Sequence, residues 1–389
     1  MYVSPPTNRF APPGVDSVET RCHARASGGK RNDMKRMFAG VMALGAIGCS
    51  AGLGEGVAAA DDANGATARS SVGTSSTARV VYAVGGARAP DIPWYDYTER
   101  SGDAYYPGAK RTIVDYPAAA AFNWLPDMYL PAGGRESGSI GQAVDVAAKH
   151  LDADIRGGTR PAAAVGLSEG ALGLDQEQTR LAGDPDAPPP GALSFAEFGD
   201  PTGRNAFGAS MLAHVFGPGS YIPVIDYTMP KAVDSQYDDN KVVTAYDGLS
   251  DFPDRPDNLV SLANAAAGAA LVHTPTAFTS PGDVPSTNIR TTVNAKGGTT
   301  TSYLVPVDHL PLTIPLRYLG VPDEFVDQID SVLQPMADAG YARNDNPVTK
   351  PVSVDPVHGM DPVALLDPAS RDGVIKTFAT IRGMIPSLG

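Results

Sequence analysis

Ala162-Ala163-Ala164-Val165-Gly166-Leu167-Ser168-Glu169-Gly170-Ala171-Leu172 reads as a short strand of small apolar residues, a tight turn, and the opening of a helix. The turn fits G-x-S-x-G, and its place between strand and helix is where a nucleophile elbow belongs. Flanking glycines suit that turn, because a Cβ on either would meet neighbouring backbone while the serine adopts a strained conformation. The helix N-terminus behind Ser168 favours developing negative charge. The competing reading is an ordinary strand–turn–helix with an incidental serine. The pattern alone is weak in a chain with 42 glycines, so the surroundings must decide.

Outward from the elbow, strands and helices alternate. Ala78–Val84 reads as a buried strand stopped by Gly85-Gly86. Ile140, Val144, Ala147, Ala148 and Leu151 recur at helical spacing between Ser139 and Ile155. Ala192–Phe198 and Lys241–Tyr246 are further strands, and Asn258–Ala270 is an Ala-rich helix. Such alternation predicts an α/β fold with a mainly parallel sheet. With the elbow, the expectation is an α/β-hydrolase fold over residues 78–300. Beyond it lies a C-terminal extension, 301–389, with an amphipathic helix over Asp323–Met336 and a short last helix near Val374–Ile385. That extension is either a cap over the site or packing that covers the sheet.

A serine hydroxyl is a poor nucleophile until an oriented imidazole takes its proton. In this fold type the chain order is serine, acid, histidine. His150 precedes the serine, and His214 sits in an apolar run that suggests packing. His273 follows the Ala-rich helix and is the preferred base, ahead of His309 and His358. The loop after Lys241–Tyr246 offers Asp247, Asp251 and Asp254. Asp251 is preferred as the acid; Asp247, which could equally cap a turn, and Asp200 stay open. The oxyanion hole is expected from the backbone N–H groups of Glu169 and Ala87, the latter in the loop after the first strand.

The first 60 residues have a different character. Lys30, Arg31, Lys35 and Arg36 precede an apolar stretch from Met37 to Ile47, and small residues lead to Val57-Ala58-Ala59-Ala60. This is the pattern of a secretory signal peptide, with Met34 a second starting methionine, so export is expected. Residues 61–77 read as a flexible linker. Both cysteines, Cys22 and Cys49, lie in the leader, so a processed chain carries no disulfide and no thiol nucleophile. Ala46-Ile47-Gly48-Cys49 loosely resembles a lipidation box. Beyond residue 60 the chain holds 23 basic and 39 acidic residues, net −16. That balance argues against nucleic acid as a partner. No uncharged apolar run of about 18 residues follows the leader, so the body is not expected to span a membrane. Asp234–Asp239 lacks the spacing of a calcium loop, and no phosphate-binding glycine loop occurs, so neither metal nor cofactor is expected.

The Gly85-Gly86 turn, Gly166–Ala171, Gly199-Asp200-Pro201, Tyr246–Pro253, Asn264-Ala265 with Gly268, His273 and Leu310-Pro311-Leu312 follow one another in a familiar order. Together they resemble the PE-PPE domain serine hydrolases of mycobacteria and related actinomycetes, which are similar to cutinases. The resemblance covers roughly residues 78–345. It implies an α/β-hydrolase fold and a Ser-Asp-His triad, with Ser168 the nucleophile, Asp251 the acid and His273 the base. It also implies an exported esterase, lipase or acyltransferase acting on fatty acyl esters, trehalose glycolipids of the cell envelope among them, with peripheral contact with envelope lipid. The chain departs from the family pattern at Glu169, usually Gln, and at Ala87-Arg88, where Thr-Gly is usual.

Overall fold

A computed structural model describes residues 77–88, 93–119, 138–231, 233–350, 354–355 and 359–384. The leader, nearly all of the linker and His358 fall outside these residues. The centre is a seven-stranded sheet built from β1 (Val80–Val84), β2 (Lys110–Ile113), β3 (Ala162–Leu167), β4 (Leu193–Phe198), β5 (Asp238–Thr244), β6 (Ile289–Val293) and β7 (Thr299–Val305). Their order across the sheet is β6-β7-β5-β4-β3-β1-β2. Every neighbouring pair is parallel except the antiparallel edge hairpin β6–β7. This is the α/β-hydrolase arrangement expected from the alternation of elements.

The helices are α1 (Trp94–Arg100), α2 (Ile140–Gly157), α3 (Glu169–Ala182), α4 (Met211–Val215), α5 (Leu259–Leu271), α6 (Ile314–Tyr318), α7 (Asp323–Asp338) and α8 (Pro368–Met384). α2 starts at a capping box, in which the Ser139 hydroxyl accepts from the Gln142 N–H and the Gln142 side chain accepts from the Ser139 N–H. β3 and β4 are buried along their whole length, and their side chains alternate between two cores. Ala163, Val165, Ala196 and Phe198 join Tyr105 and Tyr303 on one side of the sheet. Ala162, Ala164, Leu193 and Phe195 meet Leu151, Leu174 and Leu181 on the other. The boundary expected at residue 300 falls inside β7, which joins the edge strand β6 to β5. The sheet is therefore completed only by residues assigned to the C-terminal extension.

One polar cluster lies against β4. Lys241 Nζ bonds Glu197 Oε2 and lies 3.5 Å from Asp239 Oδ2 and 3.9 Å from Asp175 Oδ1. Burial, then the neighbouring Asp200, pushes the Asp175 carboxyl up to about 7, against the pull of Lys241. Burial opposes the lysine charge, but the surrounding carboxylates outweigh it and hold the ammonium well above its ordinary value. The ammonium is thus the cluster's counter-ion. Replacing it should leave buried carboxylates uncompensated, which typically costs about 3 kcal/mol or more. Lys241→Met is expected to show this as a lowered urea midpoint with unchanged slope. A loss under about 1 kcal/mol would mean that protons alone neutralise the cluster.

Candidate active site

The sharp turn between β3 and α3 places Ser168 at φ 53° and ψ −115°, a region L-residues rarely occupy. Its N–H donates to the Phe198 carbonyl at 2.9 Å, tying the turn to the end of β4. A Cβ on Gly170 would lie 2.2 Å from the Val84 carbonyl oxygen, so only glycine lets α3 approach β1 this closely. Gly199, directly after β4, has φ +62°, and a Cβ there would lie 2.9 Å from His273 Cε1. Ser168 and His273 therefore both border the Phe198–Gly199 end of β4.

His273 follows α5 and is buried. Its Nδ1 lies 2.7 Å from Asp247 Oδ2, while Nε2 is buried and makes no hydrogen bond among the described residues. Asp247 is fully buried. Its Oδ2 also accepts from the Ser250 hydroxyl at 2.5 Å, and Oδ1 accepts from the Leu249 N–H at 3.0 Å. The pairing expected from the sequence is corrected here: the carboxylate that meets the imidazole is that of Asp247, not Asp251. The Asp251 carboxylate faces away from the imidazole, accepting from Arg343 at 2.5 and 2.9 Å and from the Tyr246 N–H at 2.8 Å. Burial raises the Asp251 carboxyl despite the opposing Arg343 guanidinium.

The other candidates are held elsewhere. His309 Nδ1 bonds Asp330 Oδ2 on α7 at 2.8 Å, and that hydrogen bond raises the imidazole's proton affinity. His214 bridges the Ser210 carbonyl and Asp254, and His150 contacts the Asp115 carbonyl. Asp200 Oδ1 accepts from the Thr202 N–H and hydroxyl. Asp175, Glu197 and Asp200 bring carboxylate oxygens within 4.8 Å of one another, the one such metal-ligand grouping among the described residues. Lys241 already supplies a positive charge there.

The loop after β1 lies over the serine, and a Cβ on Gly86 would come within 3.2 Å of Ser168 Cβ. Two aromatic residues that sequence reasoning missed orient it. The Tyr116 hydroxyl donates to the Gly85 carbonyl at 2.6 Å, and Trp94 Nε1 donates to the Gly86 carbonyl at 2.7 Å. In a trans peptide the N–H points opposite the carbonyl, so these bonds fix the directions of the Gly86 and Ala87 N–H groups. Glu169 opens α3, where first-turn N–H groups have no intrahelical acceptor.

The Glu169 side chain is buried, and among the described residues neither carboxylate oxygen has a hydrogen-bond partner within ordinary distance and angle. Burial pushes this carboxyl well above its ordinary value of 4.5, with the nearby Ala119 amide pulling the other way. Burial therefore favours the neutral acid, which carries the same zero charge as glutamine. Stability from this group is complete below pH 4.5 and is lost as pH rises through the folded value. Glu169→Gln is expected to melt higher than wild type at alkaline pH, with the difference closing towards pH 5. Parallel melting curves across that range would show that Glu169 ionises freely.

A family model described as the PE-PPE domain matches residues 107–342. Diacyltrehalose acyltransferase Chp2 of Mycobacterium tuberculosis is 61% identical over 338 residues, 85% of this chain and 94% of that protein. SL1278 acyltransferase Chp1 of the same organism is 37% identical over 83% of this chain and 74% of its own length. Esterase PE16, also from M. tuberculosis, is 31% identical over 77% of this chain and 55% of its own length. No solved structure gives a significant match. On the strength of the family match and these relatives, the chain belongs to the PE-PPE domain family.

Proposed function

We propose that this protein is an exported serine enzyme that takes a fatty acyl group onto Ser168 and delivers it to a hydroxyl of a trehalose-type glycolipid. The observation that carries the reading is the short His273–Asp247 hydrogen bond beside a serine held in a strained turn. With Nδ1–H donated to Asp247, Nε2 is the basic nitrogen and takes the proton of Ser168 Oγ as it attacks the ester carbonyl. Positive charge on the imidazole is balanced by Asp247, and the oxyanion is met by the backbone N–H groups of Glu169 and Ala87. Collapse of the tetrahedral intermediate expels the first alcohol, protonated by His273, and leaves an acyl-enzyme. The acceptor hydroxyl then repeats the sequence in reverse, with His273 again as base.

Transfer is favoured over hydrolysis by the 61% identity to a diacyltrehalose acyltransferase. Hydrolysis is the second reading, favoured by the more distant esterase. Both share the first half-reaction, so the acceptor decides. Lipid contact is supported by an apolar row on α7, where Phe325, Val332 and Met336 are exposed. The export part of the proposal rests on the basic, apolar and small-residue succession of residues 30–60.

The test is a product analysis. Purified protein receives a labelled acyl donor with and without a trehalose ester, and Ser168→Ala serves as the blank. A labelled glycolipid is the expected product; free fatty acid alone means hydrolysis. No product and no fluorophosphonate labelling of wild type would favour a non-catalytic lipid- or carbohydrate-binding protein with this fold.

A further inference from the structure

The turn that aims Asp247 is one its own residues do not favour. Asp247 N–H closes onto the Thr244 carbonyl at 3.1 Å, with Tyr246 in the turn at φ +67°. That conformation suits glycine and strains an aromatic residue, so it persists only where neighbours over-determine it. Asp251 Oδ2 accepts the Tyr246 N–H at 2.8 Å, and the Asp251 N–H donates to the Asp247 carbonyl at 2.6 Å. Asp251 thus braces the turn from both flanks, with its carboxylate on the Tyr246 N–H and its own N–H on the Asp247 carbonyl.

Asp251 is in turn gripped from far along the chain. Arg343 forks onto both of its oxygens, at 2.5 and 2.9 Å, and both side chains are almost wholly buried. The guanidinium lies 4.2 Å from the Tyr341 ring centroid, and the Tyr341 hydroxyl donates to the Asp251 carbonyl at 3.3 Å. Tyr341 also packs edge-on against Tyr246, whose hydroxyl donates to Asp338 at 2.8 Å. Arg343 lies just past the residues matched by the family model.

We propose that Asp251 and Arg343 are positioning residues, a buried clamp from the segment after α7 that holds the 246–251 loop so that Asp247 faces His273. Their consequence for turnover rests on the ester-transfer reading above; the geometric claim does not. A guanidinium is needed because a planar fork can engage both oxygens while Oδ2 still accepts from Tyr246. Lysine offers a point charge and should restore the clamp only in part.

The experiment has two readouts. The first is the downfield proton resonance of the His273 Nδ1–H, assigned by its loss in His273→Gln. The second is the split of kcat and KM on a short aryl ester. In Arg343→Met the resonance should broaden or vanish and kcat should fall about ten- to a hundred-fold, with KM held within about two-fold. Arg343→Lys should recover part of both. If Arg343→Met strands the Asp251 charge and fails to fold, Asp251→Ala/Arg343→Met removes both charges and carries the same expectations. A folded variant that keeps the resonance and wild-type kcat overturns the clamp. If wild type turns over no ester and takes no fluorophosphonate, the ester reading falls, and the resonance alone decides the clamp.

Discussion

Ser168→Ala should lower kcat/KM on any ester substrate by about six orders of magnitude and abolish labelling by a fluorophosphonate. Residual rate would come only from ester binding and the backbone N–H groups around the elbow. The structure separates this loss of chemistry from damage to the fold. Ser168 holds its turn through backbone bonds, its N–H to Phe198 and its carbonyl accepting from Ala171 at 2.9 Å. Alanine keeps those bonds, keeps the Cβ and suffers the same backbone strain at φ 53°. Melting temperature should therefore stay close to wild type while activity disappears. Retained turnover would move the nucleophile elsewhere and leave the elbow as a structural turn.

The strand–turn–helix around Ser168 was legible because three signals coincide within eleven residues: a small-residue strand, paired glycines and a helix start. His273 was legible from its place after an Ala-rich helix. Asp247, the carboxylate that meets it, was not, for a physical reason. Asp247 and Asp251 share one loop, and what separates them is Arg343, which takes Asp251 out of reach from 92 positions away. Local pattern carries no trace of such a pairing. Tyr246 compounded the difficulty, since an aromatic residue closing an apolar run reads as strand, whereas β5 ends at Thr244 and Tyr246 turns with positive φ. β2 (Lys-Arg-Thr-Ile) and β6 (Ile-Arg-Thr-Thr-Val) also escaped notice. As edge strands they are partly exposed and lack the apolar alternation that marks a half-buried strand. The loop anchors Trp94 and Tyr116 act through polar tips on backbone carbonyls, contacts that only the folded chain brings together.

Asp247→Asn should lower kcat by about four orders of magnitude, and the hydrogen bonds around the carboxylate say why. Oδ1 accepts from the Leu249 N–H, a backbone donor that cannot rotate away. An asparagine placed here must keep its oxygen on Leu249, which puts its NH₂ group where Oδ2 now meets His273 Nδ1 at 2.7 Å. Donor would face donor unless the imidazole changes tautomer, so the proton moves to Nε2 and Nδ1 becomes the acceptor. The nitrogen meant to take the serine proton is then already protonated. The Ser250 hydroxyl can turn to accept from the new amide, so the loop stays satisfied and the fold should survive. Asp251→Asn offers the decisive contrast. It keeps an acceptor for the Tyr246 N–H and weakens only the clamp to Arg343, so its loss should be closer to ten-fold than to ten-thousand-fold. Steady-state rates of the two variants on one aryl ester separate the assignments. If Asp251→Asn lost three orders of magnitude while Asp247→Asn stayed within ten-fold of wild type, Asp251 would be the acid and the imidazole would have to reorient in solution.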